Sequence, residues 1–404
     1  MRFDLFHSLA RIDTVRPQLS DRQVFELFFR QVELGEALGF GTMWVAESHF
    51  SSETQKGNPG AVIPHFMGEV GLNCDSVQLA QQIFARTRRL GFGTAILNIV
   101  GGNGGPIAAA DRIRMLSWYN ALSDSPRRLD IGVASGRFPY INQPFGIVPR
   151  SPEEKVLWPQ YQQLVFVEAL EIFLRLLSGD CLGSDAVSRH RIDRRFFRDD
   201  SSYEAVCREL GAESWEYEPR WRFAPLKLVP EQPAADWKSF MTIVLGSADP
   251  YARDHALKFG DLDLFNLSFT PPAQIDATHA VMRERYAEVG KSWHRSRMPR
   301  TVLVFIDESN AAAERRASNC FDTYIEAMRG TVATPAKDML MARALIGDPQ
   351  RVKEQLAPDD PHAFHPDDRL MLWFEFNQAD GASIERQMRL FAEEVLPHYA
   401  QEGN

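Results

Sequence analysis

Hydrophobic and polar positions along this chain alternate between two periods. From Asp21 to Leu38 the apolar residues Val24, Phe25, Leu27, Phe28, Val32, Leu34 and Leu38 fall near helical spacing, and Ser20 is placed to cap that helix. Gly39 and Gly41 then bracket a turn. Thr42 to Ala46 is a short apolar, β-prone run, which predicts a buried strand. The same change of period recurs. Strands are expected at Arg2 to Phe6, Leu90 to Ile96, Leu129 to Val133, Met241 to Leu245, Leu262 to Leu267, Thr301 to Ile306 and Arg369 to Phe374. Helices are expected at Ser76 to Thr87, from Pro106 to Leu122, at Val156 to Leu177, up to Phe259, and at Ser383 to Leu396. Ser51 to Gly71 is rich in glycine, proline and polar residues and is expected to be a long loop.

Strand and helix alternate at roughly 35–45 residues per repeat, the pattern of parallel βα units. Eight strands is the number that closes a (β/α)8 TIM barrel; a doubly wound sheet is the alternative. Regularity stops between Ser178 and Lys238, so the expectation is one barrel domain over residues 1–404 with an insertion at about 180–235. A chain of 404 residues suits one such barrel.

Composition narrows the class. The chain is 44% hydrophobic and 25% charged, ordinary for a soluble globular protein. Its formal net charge of -9 argues against a nucleic-acid partner held through phosphates. No run of apolar residues is long enough for a membrane span, and the start, Met1 to Phe6, reads as a first strand rather than a signal peptide. Cys74, Cys181, Cys207 and Cys320 are widely spaced, without a C-x-x-C pair. They are expected to be reduced and mostly buried, in a cytoplasmic protein.

Three strand ends carry candidate chemistry. Glu47-Ser48-His49 follows the second strand, and in αβ barrels the C-terminal ends of the strands are where reactions occur. A histidine beside a carboxylate can move protons, or it can simply satisfy a core partner. Gly246-Ser247-Ala248-Asp249 lets backbone N–H groups approach a phosphate, or forms a tight turn capped by Ser247 or Asp249. Gly132 to Arg137 is another small-residue strand end, where Arg137 offers a fixed charge for a phosphate or sits on the surface. The Gly101 to Gly105 run has no G-K-[ST] after it. His362 and His365 lie in a proline-rich acidic loop and are read as solvated, so no metal site is expected. The Arg189 to Arg198 run, which includes His190, alternates with acidic residues and is read as a solvated face. No G-x-S-x-G appears, which removes support for a hydrolase elbow.

Taken in order, these pieces resemble the bacterial luciferase-like flavin monooxygenase family. Gly39-Phe40-Gly41-Thr42-Met43-Trp44-Val45-Ala46-Glu47-Ser48-His49-Phe50 is similar to the luciferase α-subunit phrase G-F-D-T-V-W-L-L-E-H-H-F. Gly57-Asn58-Pro59 resembles the family's G-N-P, and Leu90 to Ala95 its third strand. Ile346-Gly347-Asp348-Pro349 resembles its G-[ST]-P segment, and Ile384 to Pro397 its final helix.

The resemblance implies a barrel that takes reduced FMN, or in one branch the deazaflavin F420, from a separate reductase. Oxygen and reduced flavin then give a C4a-peroxide that oxygenates a small organic substrate. It implies that Thr94, Ala95 and Ile96 lie along the flavin ring. The phosphate is expected between Ser135-Gly136-Arg137 and Gly246-Ser247-Ala248. A homodimer is the family's habit. Two departures stand out. Ser48-His49 replaces a His-His pair, so the proton-handling role is expected to pass to His49 or Glu47. Ser135 replaces a phosphate-binding arginine, for which Arg137 is the expected substitute. Three functions remain open on these residues: an FMN-dependent monooxygenase, an F420-dependent dehydrogenase, and a non-catalytic flavin-binding protein.

Overall fold

The computed structural model describes residues 1–399 except 59–60, 62, 137, 233–236, 247, 268 and 331–334. Eight strands build the main sheet: β1 (Arg2–His7), β2 (Thr42–Val45), β3 (Gly91–Asn98), β4 (Leu129–Ala134), β5 (Met241–Leu245), β6 (Asp263–Leu264), β7 (Arg300–Ile306) and β8 (Arg369–Trp373). Their hydrogen-bonded order is β6-β5-β4-β3-β2-β1-β8-β7, with a short ninth strand, Leu345–Gly347, beyond β7. The pairs β1–β2, β2–β3, β1–β8 and β7–β8 are parallel. A bridge between Asn266 and Arg300 joins the chain after β6 to β7: Asn266 N donates to Pro299 O, and Thr301 N donates to Asn266 O, each at 3.0 Å. The strand order and the intervening helices are those of the expected (β/α)8 barrel class.

The chain forms two compact units. The first is Met1–Ala95, Arg127–Gly132 and Asp263–Asn404; the second is Ile96–Pro126 and Val133–Leu262. In the first unit, helix α1 (Asp21–Ala37) starts at a capping box: Ser20 Oγ accepts from Gln23 N, and Ser20 N donates to Gln23 Oε1 at 2.9 Å. Its buried stripe includes Val24, Leu27, Phe28 and Val32, the spacing read from the sequence. Helix α2 (Ser76–Arg86) is capped by Asp75. The lower interior of this unit is polar. Arg369 donates to Asp4 and Asp130, both at 2.6 Å, and to Thr42 Oγ1 at 3.1 Å, while Trp44 Nε1 donates to Asp4 at 2.8 Å. Burial opposes the Arg369 charge, but Asp130 and Asp4 outweigh it and hold its pKa above the ordinary value.

In the second unit, helix α3 (Gly105–Ala121) packs on the long helix α4 (Trp158–Ser178), and α5 (Pro250–Ala256) packs on α4 as well. Buried Arg114 of α3 donates to the carbonyls of Leu176 and Leu177 at 3.1 and 2.7 Å, neutralising the C-terminal end of α4. The insertion is pinned to α4 by a second buried group: Glu168 accepts from Tyr217 Oη at 2.7 Å and from Arg220 N at 2.9 Å.

Several boundaries depart from the sequence reading. The helix expected at Val156 to Leu177 is two helices, Pro152–Val156 and α4, because Pro159 has no N–H and its ring would clash with the carbonyl one turn earlier. The strand expected at Leu262 to Leu267 shrinks to Asp263–Leu264 plus the Asn266 bridge. The Ser51 to Gly71 loop contains a turn of helix, Ser52–Gln55, and a strand, Gly68–Glu69, paired with Arg11–Ile12; Pro59 lies outside the described residues. The insertion holds a helix, Asp200–Leu210, and an antiparallel pair, Arg191–Ile192 with Trp215–Glu216. Its arginines 191, 194 and 195 pair with Glu216, Asp200 and Asp193 at the surface, as expected, but His190 is buried. All four cysteines are free. The expectation that most are buried fails, since Cys74 and Cys181 are exposed and only Cys320 is buried. Among the described residues no helix is long and apolar enough to cross a membrane.

Candidate active site

In the first unit, β2 is buried along its whole length and lies between β1 and β3. At its C-terminal end the backbone stays tied down: Ala46 N donates to His7 O and Ser48 N to Asn73 O, both at 2.9 Å. Asn73 Nδ2 donates to Ala46 O at 3.0 Å, and Phe50 takes a left-handed backbone at φ 63. This turn delivers a dyad. His49 Nε2 donates to Glu47 Oε1 at 3.1 Å, and Glu47 Oε2 accepts from Ser76 Oγ at 2.8 Å. Ser76, the first residue of α2, also accepts from Asn73 Nδ2 at 3.2 Å.

The Glu47 side chain is only 1% exposed and that of His49 8%. A buried carboxylate fixed by a hydroxyl and an imidazole orients that imidazole. This is the arrangement of a general base backed by a carboxylate. Binding to Glu47 through Nε2 makes Nδ1 the nitrogen left for proton transfer. Ser48 Oγ is buried and has no hydrogen-bond partner, so a polar atom of a bound group would relieve it.

Of the expected ring contacts in this unit, Thr94 is fully buried and its hydroxyl donates to Gly132 O at 2.7 Å, whereas Ala95 is half-buried. A second carboxylate at a strand end has no motif in the sequence to mark it. Glu375, just past β8, accepts from Ser8 Oγ at 2.9 Å and from Trp373 Nε1 at 2.5 Å, and lies 3.2 Å from His7 Nδ1. Burial lowers the His7 pKa, and Leu9 N donates to the same Nδ1 at 2.9 Å, so this pair anchors β1 and β8 as structure.

In the second unit the ends of β3, β4 and β5 carry the small residues. Asn98, the last residue of β3, organises them. Its Oδ1 accepts from Val100 N and Gly101 N at 2.9 and 3.2 Å, and its Nδ2 donates to Asn142 Oδ1 at 2.9 Å. Asn142 Nδ2 in turn donates to Ser135 O at 2.7 Å. Gly136 sits against this pair at φ 84, and a Cβ there would lie 2.6 Å from Asn98 Nδ2. Only glycine meets both conditions. Gly246 follows β5 with its N–H on Val133 O at 2.9 Å; a Cβ would lie 2.2 Å from Ile96 Cδ1. Ile96 is half-buried, Ala248 exposed, and Asp249 caps α5 by accepting from Tyr251 N at 3.0 Å. Arg137 and Ser247 lie outside the described residues.

The sequence model of luciferase-like monooxygenases matches residues 1–358. The chain belongs to the luciferase-like monooxygenase family. Among solved structures it is similar to the monooxygenase RslO1 from Streptomyces bottropensis, at 21% identity and TM-score 0.71 over 99% of this chain and 100% of that one. It is also similar to the oxygenating constituent of 3,6-diketocamphane monooxygenase from Pseudomonas putida, solved in complex with FMN. The identity is 15% and the TM-score 0.60, over 98% of each chain. A third likeness is to an F420-dependent secondary alcohol dehydrogenase in complex with an F420–acetone adduct, at 12% identity and TM-score 0.59 over 99% of each chain. No curated protein sequence matches the chain. At these identities the structural likeness speaks for the fold.

Within this luciferase-like chain, the residues that sequence reasoning missed are polar partners distant in sequence. Ser76 lies 29 positions from Glu47, and Asn142 lies 44 positions from Asn98. A faint signal existed for Asn98, a polar residue ending an otherwise apolar strand. His362, read from the sequence as solvated, is instead buried, because it bonds Asp360 in its own loop and Ala344 O, 18 positions earlier; His365 is exposed as expected.

Proposed function

We propose that this luciferase-like protein is a two-component monooxygenase that takes reduced FMN from a separate reductase and oxygenates a small organic substrate. The Glu47–His49 dyad at the end of β2, beside the unpartnered Ser48 hydroxyl, carries this reading. When bound, reduced FMN supplies the electrons and activates oxygen. Ser135, Gly136 and Arg137 with Gly246, Ser247 and Ala248 hold the phosphate through main-chain N–H groups and the arginine charge. Thr94, Ala95 and Ile96 line the ring with small or apolar surface that excludes water. His49 holds or moves the proton at Nδ1, Glu47 orients it, and Ser48 donates a hydrogen bond to the bound group.

A second reading, an F420-dependent dehydrogenase, is favoured by the likeness to the F420-dependent alcohol dehydrogenase. In it the same histidine would take the proton of a substrate hydroxyl as hydride leaves. We place the enzyme in the cytoplasm as a homodimer, with no nucleic-acid or membrane partner. Oxygen consumption with reduced FMN, coupled to product, supports the monooxygenase. Substrate-driven F420 reduction without oxygen uptake overturns it for the second reading. Flavin retention with neither activity leaves a binding protein.

A further inference from the structure

One buried cluster in the second unit lies apart from the residues proposed to meet the flavin. Glu171 of α4, His190 of the insertion and His255 of α5 each offer a metal-ligating atom, all within 4.8 Å of one another. All three residues are buried. Glu171 Oε1 accepts from Arg175 Nη1 at 3.0 Å and Ser188 N at 3.1 Å, while Oε2 faces His255 Nε2 at 2.8 Å and shares the Ser188 N–H at 3.3 Å. His190 Nδ1 is 2.9 Å from Tyr251 Oη, and its buried Nε2 has no hydrogen-bond partner.

We propose that Glu171, His190 and His255 bind one divalent transition-metal ion of the zinc class. Two imidazoles and one carboxylate are a donor set that suits zinc or cobalt and disfavours calcium and magnesium, which take oxygen ligands. Two of the three prospective ligands are already aimed from behind: Arg175 and Ser188 hold the Glu171 carboxylate, and Tyr251 fixes His190 through Nδ1 and leaves the Nε2 lone pair.

Asp180, 3.0 Å from Arg175, offsets that residue's charge. Ligands around a tetrahedral ion lie roughly 3.4 Å apart, so loading asks Glu171 and His255 to part by about 0.6 Å and any pair near the 4.8 Å limit to close. Three protein ligands leave a fourth position for water. The ion would cross-link the insertion to two helices of the second unit, a role in stability rather than in flavin chemistry.

The test is a titration of the full, tag-free, metal-stripped chain with Co2+, followed by Zn2+. The expected result is one equivalent of Co2+ with intense tetrahedral visible absorption, displaced by Zn2+, and a melting temperature that rises with metal. His190→Gln, checked by circular dichroism, should lose the absorption. Tyr251→Phe should keep the site and weaken Zn2+ affinity about 10- to 100-fold, because His190 loses its orienting partner. Absence of saturable binding to the wild-type chain overturns the proposal, as does a folded His190→Gln variant with undiminished absorption. Should His190→Gln not fold, wild-type affinity in Tyr251→Phe overturns it.

Discussion

His49 Nε2 lies 3.1 Å from Glu47 Oε1, and the other oxygen of the same carboxylate takes the Ser76 hydroxyl at 2.8 Å. The imidazole is therefore held by a carboxylate that is itself fixed to the start of α2. His49→Asn keeps a hydrogen-bonding side chain but removes the base, and turnover should fall about 10²–10⁴-fold. Anaerobic flavin affinity should be unchanged. Glu47→Gln should lower turnover less, since it removes the charge and keeps the shape. Steady-state kinetics beside a flavin-binding titration distinguishes the two effects. Wild-type turnover in His49→Asn would remove His49 from the chemistry.

Gly136 and Gly246 answer to different constraints, and substitution separates them. Gly136→Ala meets both a left-handed backbone and Asn98 Nδ2, so it should cost about 1–3 kcal/mol and weaken flavin binding. Gly246→Ala meets Ile96 Cδ1, an atom that Val lacks. Pairing it with Ile96→Val should recover most of the lost stability in urea unfolding, a coupling expected of side chains in contact. Equal costs for Gly246→Ala with and without Ile96→Val would contradict the packing described.

Arg369 serves two buried aspartates at 2.6 Å. Arg369→Met would leave Asp4 to Trp44 Nε1 and Asp130 to Arg128, each without the cation that bridges them, with an expected loss of about 3–5 kcal/mol in denaturant unfolding. A loss below about 1 kcal/mol, the size typical of surface pairs, would show that the network is hydrated rather than buried.

His279 gives the protein an acid-labile point. Burial, then the Arg295 charge, lowers its pKa from the ordinary 6.5 to about 4, and Trp293 Nε1 donates to its Nδ1 at 3.0 Å. Between pH 6.5 and 4 the unfolded chain binds a proton there that the folded chain does not. Stability therefore rises with pH across that window, by up to about 1.4 kcal/mol per pH unit for this group. His279→Gln should flatten the dependence of melting temperature on pH between those values. An unchanged slope would assign the effect to other groups.

The barrel was legible because its strands are short apolar runs bounded by glycine, and parallel strands buried on both faces have that signature. The stretch after Leu262 was over-read as strand because two polar residues, Asp263 and Asn266, are buried there with partners from elsewhere in the chain: Arg297 donates to Asp263, and Asn266 bridges to β7. The helix Pro272–Glu288 has no clear signal because one of its four buried positions, Ile275, His279, Met282 and Tyr286, is a histidine, which interrupts the apolar stripe. At the candidate site, Glu47 and His49 were legible because they are two residues apart. Glu171 and His255, separated by 84 positions, have no local pattern that could announce them, and His190 was hidden in a run whose arginines do face solvent.

The central claim is that this chain governs how reduced FMN meets oxygen. The most direct measurement is a stopped-flow mix of the protein, loaded anaerobically with reduced FMN, against oxygenated buffer. The account predicts a long-lived near-ultraviolet absorbance before oxidised flavin appears, with its lifetime altered in Ser48→Ala and His49→Asn. Return to oxidised FMN at the rate of free flavin, with no intermediate absorbance, would contradict it.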